Sequence, residues 1–226
     1  AAIVLGERAR LIQTTELVRG INRQSADLME TVEGLSQLAE TMHRHGAKIM
    51  IQATHMGRRS AWHGHDWPHL VSPSGVREPV HRGNAKTSET EEIRRIVQDY
   101  AAAARRVQRS GLDGIEISAA HQHLIDQFWS PRTNFRSDEY GGSLDNRCRY
   151  PLEVFVAMRA VWPADKPMSV RISAHDWAPG GNTPGDAVEM ARLFKAAGCD
   201  VIDVSSGQTT RAAKPVYGRM YQTPFA

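Results

Sequence analysis

Four short apolar segments, separated by stretches with helical periodicity, constrain the fold of this chain more than any other feature. They cover residues 48–52, 114–118, 168–173 and 201–205. Short apolar runs of this kind are typical of strands. A repeated strand–helix–strand order predicts a parallel sheet with right-handed crossovers and helices packed against it. We therefore expect these segments to pair in parallel, with no antiparallel pairing among the four.

The first two helices are indicated by apolar residues that recur at helical spacing. The first spans about residues 25–44, with Gly46 as its C-terminal stop. The second begins with a capping box, in which the Ser88 side chain accepts a backbone N–H and Glu91 reaches back. The residues expected to face the core are Leu28, Val32, Leu35, Ala39 and Met42 in the first helix, and Ile93, Ile96, Val97, Tyr100, Ala104 and Val107 in the second.

Two further helices follow in the second half of the chain. One covers residues 144–161, where Pro151 is expected to kink the helix or split it into two. The other begins with Thr183 as its N-cap and Pro184 in its first turn, and it ends at Gly198. Its expected core residues are Val188, Ala191, Leu193 and Phe194.

Composition excludes several classes of protein. The 226 residues suffice for one domain, which we take as residues 1–226. The 28 basic residues exceed the 25 acidic ones only slightly and are scattered, which argues against a nucleic-acid partner. Two distant cysteines, Cys148 and Cys199, fit a reducing compartment. No apolar run is long enough to cross a membrane, so we expect a cytoplasmic protein.

Two parts of the chain carry weaker signals. Residues 1–6 form a doubtful strand, and residues 59–87 form a long loop rich in Gly, Pro, His and Trp. Long loops without secondary structure are often functional, so we interpret this one as a lid over a pocket. Its His63, His65 and His69 match no metal motif, and we expect no metal there.

Polar side chains gather where the predicted strands end, which in a parallel sheet is the edge where ligands bind. One reading of this edge is a metal-dependent barrel hydrolase, because imidazole and carboxylate groups are metal ligands. The residues for that reading are His55, His121, His123, His175 and Asp176. A non-catalytic barrel fragment is a further alternative.

The stretch that follows the second strand carries a long, ungapped motif. It consists of Ser118, His121 and His123, the sequence LIDQF at 124–128, Ser130-Pro131, and DEYGGSLDNR at 138–147. This stretch resembles the old yellow enzyme family of FMN-dependent oxidoreductases, and residues 52–58 resemble its Q-x-x-H-x-G-R motif. The resemblance implies a (β/α)8 TIM barrel, of which the four clear strands match the third to sixth. It also implies FMN as the cofactor and NAD(P)H as the reductant.

The resemblance assigns roles to five residues. Gln52, Arg171 and His121 correspond to cofactor-binding positions, Ser118, His121 and His123 to substrate-binding ones, and His121 and His123 to catalytic ones. An amide such as Gln52 offers both a donor and an acceptor to the flavin's pyrimidine edge. A cation at Arg171 would favour the reduced flavin, by about 4 kcal/mol at 4 Å before desolvation. Purely structural roles for Gln52 and Arg171 remain open.

Two residues depart from the family pattern. Ser118 stands where many members have a substrate-binding histidine, and His123 stands where many have a proton-donating tyrosine. Because imidazole ordinarily titrates near neutrality, an acid at His123 predicts turnover that falls as pH rises through about 6 to 7, unless the site shifts its pKa. The alternative for His123 is a surface position on the turn.

The substrate and the extent of the protein stay open. Residues 118–131 resemble the branch containing trimethylamine and histamine dehydrogenases. Residues 150–155, 166–177 and 203–209 resemble the reductase-like domain of salicylyl-CoA and aminobenzoyl-CoA hydroxylases. Reduction of an enoyl- or acyl-CoA-type substrate and oxidation of an N-methylamine are both compatible with this mixture. Because only four strands are clear, we expect a fragment of a longer chain, completed by further barrel strands or by a homo-oligomer.

Overall fold

The computed structural model describes residues 25–59, 70–79 and 83–226. Strands β1 (Met50–Ala53), β4 (Gly114–Ala119), β5 (Met168–Ser173) and β6 (Val201–Ser205) form one sheet in the order β1-β4-β5-β6. Every neighbouring pair in this sheet is parallel, which confirms the predicted pairing. Two short strands, β2 (Val71–Ser72) and β3 (Lys86–Thr87), form a second parallel pair within the expected loop region.

The described residues include five α-helices. They are α1 (Ser25–Arg44), α2 (Thr90–Arg109), α3 (Leu124–Trp129), α4 (Leu144–Arg159) and α5 (Pro184–Ala196). Single 3₁₀ turns lie at Gly57–Arg59 and Thr223–Phe225. None of the helices in the described ranges has the length and apolarity needed to cross a membrane.

The strand register divides the sheet into an apolar and a polar face, because alternate side chains point to opposite sides. The apolar face packs against the helices and consists of Ile51, Ala53, Ile115, Ile117, Ala119, Met168, Val170 and Ile172, all buried. Burying one such aliphatic side chain contributes about 1.5–3 kcal/mol. A register slip of one residue would exchange the two faces, so burial of the apolar set fixes which side chains reach the other side.

The first strand starts two residues later than the predicted segment 48–52. The N–H of Ile49 donates to the Asp113 carboxylate at 2.9 Å, and the N–H of Asp113 donates to the Ile49 carbonyl at 3.0 Å. Ile49 is therefore bonded to the loop before β4 instead of continuing the ladder.

The predicted capping box at Ser88 and Glu91 is wrong by one residue. Ser88 is buried, and both its N–H and its hydroxyl donate to the carbonyl of Ser72, at 2.8 and 3.1 Å. Ser88 thus joins helix α2 to β2 and is not available as a cap. Glu89 is the N-cap, and its N–H donates to the Glu92 carboxylate at 2.9 Å.

The later helices also correct two details. Pro151 was expected to kink helix α4 or to split it, and the helix continues through Pro151 as one element, so it is not split. In α5, Thr183 caps the N-terminus as expected, accepting from the N–H of Asp186, but Val188 is 49% exposed. Phe194 is buried as predicted, and Ala187 and Met190 form the buried face of α5 together with it.

Most of the remaining helix predictions hold where side chains are described. Val32, Leu35 and Ala39 of α1 are buried, as is the predicted stripe of α2, whereas Met42 at the end of α1 is only half-buried. The side chain of Leu28, the doubtful strand at residues 1–6 and the histidines at 63, 65 and 69 lie outside what the structure describes.

Candidate active site

The polar face of the sheet brings together the predicted cofactor residues. Gln52 on β1 is paired in register with Glu116 on β4, and Ser118 on β4 is paired with Arg171 on β5. Because Glu116 and Ser118 are two residues apart on one strand, all four side chains project from the same face. The convergence of Gln52 and Arg171 on one face was predicted, and the register shows it.

A carboxylate orients the Gln52 side chain. The amide nitrogen of Gln52 donates to Glu116 Oε1 at 2.7 Å, and the hydroxyl of Ser169 donates to Glu116 Oε2 at 2.8 Å. Burial raises the pKa of Glu116, while these two hydrogen bonds lower it. Because a carboxylate only accepts hydrogen bonds, the bond to Glu116 fixes the orientation of the Gln52 amide, with its nitrogen toward Glu116.

Arg171 has a carboxylate neighbour of its own. Its Nε lies 3.5 Å from Asp203 Oδ2 on β6, and both side chains are about one-third exposed. An accessible ion pair of this kind is weak. Arg171 lies at the edge of the site, and after burial its charge is the next cause of the lowered pKa of His121.

The two histidines lie on a tight turn immediately after β4. The N–H of His123 donates to the Ala120 carbonyl at 3.2 Å, which closes a β-turn with His121 and Gln122 at its centre. Their φ angles are 56° and 61°. Two positive φ angles are typical of a type I′ turn, which ordinarily uses Gly, Asn or Asp. The turn directs the chain from the strand into helix α3 within four residues.

Two hydroxyl groups hold the His123 ring. Its Nδ1 lies 2.9 Å from the Ser118 hydroxyl and 3.0 Å from the Thr54 hydroxyl. These contacts occupy Nδ1, so Nε2 is the ring nitrogen that is available to hydrogen-bond a ligand. Ser118, predicted as a substrate-binding residue, is itself buried and touches His123.

His121 lies beside His123 and is held from three sides. Its Nε2 contacts the Ser205 hydroxyl at the end of β6, and its backbone N–H donates to the Ser173 hydroxyl at 3.0 Å. The guanidinium of Arg59 donates to the His121 carbonyl at 2.5 Å. The His121 and His123 rings meet edge to face, with their centroids 6.4 Å apart.

Both imidazoles are neutral near pH 7. Burial, followed by the charges of Arg171 and Arg59, lowers the pKa of His121 to about 4. Burial, then the neighbouring His121, then further cationic groups lower the pKa of His123 to about 3. The fall in turnover expected between pH 6 and 7 therefore loses its basis. A neutral ring can still donate one N–H hydrogen bond to a substrate.

The residues of the hydrolase alternative do not form a metal centre. Within residues 25–59, 70–79 and 83–226, no group of three His, Cys, Asp or Glu side chains is placed to hold a metal ion. His175 stacks with Trp177 and Phe225. Asp176 is buried and accepts from the hydroxyls of Ser130 and Thr209 at 2.7 and 2.6 Å.

Several site residues were not singled out from the sequence. Glu116 and Asp203 are charged residues at alternate positions of otherwise apolar strands, a pattern that indicates a polar inner face. Arg58 and Asp126 lie inside the two recognised motifs but were given no role. Gln122, between the two histidines on the turn, is only 1% exposed.

Comparisons with known proteins agree with this geometry. A model of the NADH:flavin oxidoreductase / NADH oxidase family matches residues 20–225. The chain is 56% identical over 161 residues to an N,N-dimethylglycine/sarcosine dehydrogenase of Chromohalobacter salexigens, covering 71% of this chain and 23% of that protein. It is 43% identical over 197 residues to an NADPH dehydrogenase of Geobacillus sp., covering 87% of this chain and 56% of that protein. The chain thus spans about half the length of the Geobacillus protein and about a quarter of the Chromohalobacter protein.

Solved structures show the same architecture. A complex of 2-naphthoyl-CoA reductase with 2-naphthoyl-CoA superposes with a TM-score of 0.74 at 30% identity, covering 82% of this chain and 30% of that one. Morphinone reductase in complex with tetrahydroNAD gives a TM-score of 0.70 at 28% identity, covering 80% of this chain and 54% of that one. The partial TIM-barrel fold predicted from the sequence is confirmed.

Proposed function

This chain belongs to the NADH:flavin oxidoreductase / NADH oxidase family, and from that premise we propose that the complete protein is an FMN-dependent oxidoreductase. It transfers hydride between NAD(P)H and an organic substrate. The observation that carries this proposal is the convergence of Gln52, Arg171 and two neutral imidazoles at one polar face of the sheet.

The donor set on that face fits FMN. The pyrimidine edge of a flavin presents N–H and carbonyl groups, which match the amide of Gln52 and the guanidinium of Arg171. Strand β4 lies between the strands that carry these two residues, so their side chains approach the space over β4 from both sides. FMN, when bound there, supplies the hydride-transfer chemistry. The protein's own contribution is binding, orientation and charge.

The charges around the histidines favour a substrate with an anionic group. After burial, the cationic groups of Arg59 and Arg171 contribute to the lowered pKa of both His121 and His123, so two guanidinium groups lie near the rings. Their carboxylate partners are Glu78 at 3.7 Å and Asp203 at 3.5 Å. An N–H of each neutral imidazole can donate to a carboxylate oxygen. We propose an N-methylated amino acid as the substrate, in line with the 56% identity to N,N-dimethylglycine/sarcosine dehydrogenase.

The chemistry balances for such a substrate. FMN, when bound, would accept a hydride from the N-methyl carbon and pass the two electrons to NAD(P)⁺. Water would add to the resulting iminium carbon, so that formaldehyde, the demethylated amine and a proton are released. His121 and His123 orient the substrate's carboxylate in this step, and Arg171 offsets the negative charge that accumulates on the cofactor side of the site.

A second candidate is reduction of an unsaturated acyl-CoA substrate. The superposition on 2-naphthoyl-CoA reductase favours it, as do two N–H donors able to polarise a thioester carbonyl. In this case NAD(P)H donates the hydride, and the substrate accepts it together with a proton.

Anaerobic half-reactions of the complete protein test these proposals. We expect a yellow protein whose visible absorbance is bleached by dimethylglycine or sarcosine, with release of formaldehyde. Bleaching by NAD(P)H alone, with recovery on addition of an unsaturated acyl-CoA, would favour the second candidate. A colourless protein that takes up no FMN would contradict the function itself.

A further inference from the structure

The turn that carries the two histidines is supported almost entirely by side chains. The N–H of His121 donates to Ser173, and its carbonyl accepts from Arg59. The N–H of Gln122 donates to Asp126 Oδ2 at 2.6 Å, and its carbonyl accepts from the Gln127 amide at 2.5 Å. Each backbone polar group at the centre of the turn therefore has a side-chain partner, and we refer to these interactions as the turn network.

The side chain of Gln122 extends this network into the core. Its amide nitrogen donates to the same Asp126 oxygen at 3.1 Å, and its amide oxygen accepts from the Arg58 guanidinium at 2.5 Å. Arg58 is 2% exposed and Asp126 is fully buried. Polar groups this deeply buried are costly unless hydrogen-bonded, so the set is held in one arrangement.

The network offsets a conformational cost. The left-handed conformation costs a residue with a Cβ atom roughly 1–2 kcal/mol relative to the right-handed one. Here two such residues follow each other. Neither His121 nor Gln122 is a residue that ordinarily adopts a type I′ turn. Strained backbone of this kind persists only where the surroundings over-determine it, and it concentrates at functional sites.

We propose that Asp126 is a positioning residue, which holds Gln122 in the left-handed conformation and thereby fixes His121 against Ser205 and His123 against Ser118 and Thr54. The inference rests on the proposed function for its catalytic meaning, because it concerns the histidines of that site. Within the turn, Asp126 is hydrogen-bonded to Gln122, and its side chain is fully buried.

The test follows the imidazole signals of His121 and His123 by ¹⁵N NMR in the full chain, as a function of pH. Asp126→Leu keeps the side-chain volume but removes the acceptor, so we expect the turn to relax and the His123 ring to leave its two hydroxyl partners. The pKa measured for His123 should then rise by about 1 unit or more. Asp126→Asn retains one acceptor oxygen and should preserve the low titration. The other groups that act on His123, namely Arg59, Arg171, His55 and His121, are unchanged in both variants.

Asn134→Leu is the matched control. Asn134 is also buried, and its side chain is hydrogen-bonded to the carbonyls of Phe128 and Tyr140 and to the N–H of Arg136, and not to the turn. This variant should lose stability while the His123 titration stays in place. A shift of similar size in the control, or no shift in Asp126→Leu, would overturn the proposal.

A second variant covers the case in which Asp126→Leu does not fold. Adding Gln122→Gly removes the left-handed penalty at that position, because glycine adopts positive φ freely. Arg58 keeps its bonds to the carbonyls of residues 76, 77 and 209. The double variant should regain folding and the low His123 titration, whereas a filler role for Asp126 predicts no recovery. The NMR readout is independent of FMN, so a colourless protein would reject the function without deciding this inference.

Discussion

A neutral imidazole at His123 can donate a hydrogen bond but cannot serve as an imidazolium acid near pH 7. The structure therefore changes the expected role of this residue from a titrating acid to a fixed N–H donor. The burial that lowers its pKa also makes the ring sensitive to its hydroxyl partners, Ser118 and Thr54. Ser118 also acquires a structural role, since its hydroxyl holds the His123 ring.

Replacement of His123 separates orientation from proton transfer. In the complete protein, His123→Ala should keep its FMN and lose roughly 10²-fold or more of the rate with organic substrate, since an oriented donor is removed. The wild-type rate should show no ionisation of His123 between pH 5 and 8, because its pKa is about 3. Stopped-flow measurement of the substrate half-reaction checks both points. An unchanged rate in the alanine variant, or a wild-type break near pH 6.5 that the variant abolishes, would refute the fixed-donor role.

At the scale of single elements, the strands were predictable and the turn was not. The apolar pattern predicts the ends of β4, β5 and β6 to within one residue, because a strand that packs against the core carries apolar side chains at regular positions. The left-handed conformation of His121 and Gln122 leaves no such signal, since neither is Gly or Asn. It depends on partners such as Arg59, 62 positions away in the chain.

The start of helix α2 illustrates the same limit. Ser88 and Glu91 have the spacing of a capping box, but so do Glu89 and Glu92, and local sequence does not choose between them. The choice is made by the tertiary bond from Ser88 to Ser72. A hydrogen bond between residues 16 positions apart cannot be predicted from a motif that spans only one turn of helix.

The corrected cap makes a prediction about stability. Glu92→Ala removes the acceptor of the Glu89 N–H and should lower the free energy of unfolding by about 0.5–2 kcal/mol, whereas the exposed Glu91→Ala should have little effect. The N–H bond from Glu89, partly opposed by burial, lowers the pKa of Glu92 below its ordinary 4.5. Its contribution is therefore complete above pH 4.5 and is lost as the pH falls through the lowered value.

Urea denaturation of the two variants at several pH values provides the measurement. The difference between wild type and Glu92→Ala should shrink below pH 4.5, as the carboxylate is protonated in both folded and unfolded chains. If Glu91→Ala and Glu92→Ala lowered the free energy of unfolding equally, the assignment of the capping box to Glu89 and Glu92 would be contradicted.

On the scale of the whole molecule, the sheet places two kinds of surface back to back. The apolar face binds the helices, and the polar face carries the amide, cation and imidazole groups assigned to cofactor and substrate. Because the apolar set determines the register, the packing of the core also determines which polar groups meet at the site. The fold class could be predicted from motifs, and so could Gln52, Arg171, His121 and His123 as candidates for the site. The carboxylates of Glu116 and Asp203 beside Gln52 and Arg171 are evident only from the folded structure.

The central claim is that this polar face binds FMN, and the affinity of the complete protein for FMN tests it most directly. The wild-type protein should bind FMN, and Arg171→Met should weaken binding by about tenfold or more, equivalent to roughly 1.4 kcal/mol. Arg192→Met is the control, because Arg192 is a 69% exposed residue of α5 paired only with Glu189 in the described structure. Titration followed by flavin fluorescence should show wild-type affinity for Arg192→Met and the loss for Arg171→Met. Equal affinity of the Arg171→Met variant and the wild type would contradict the account.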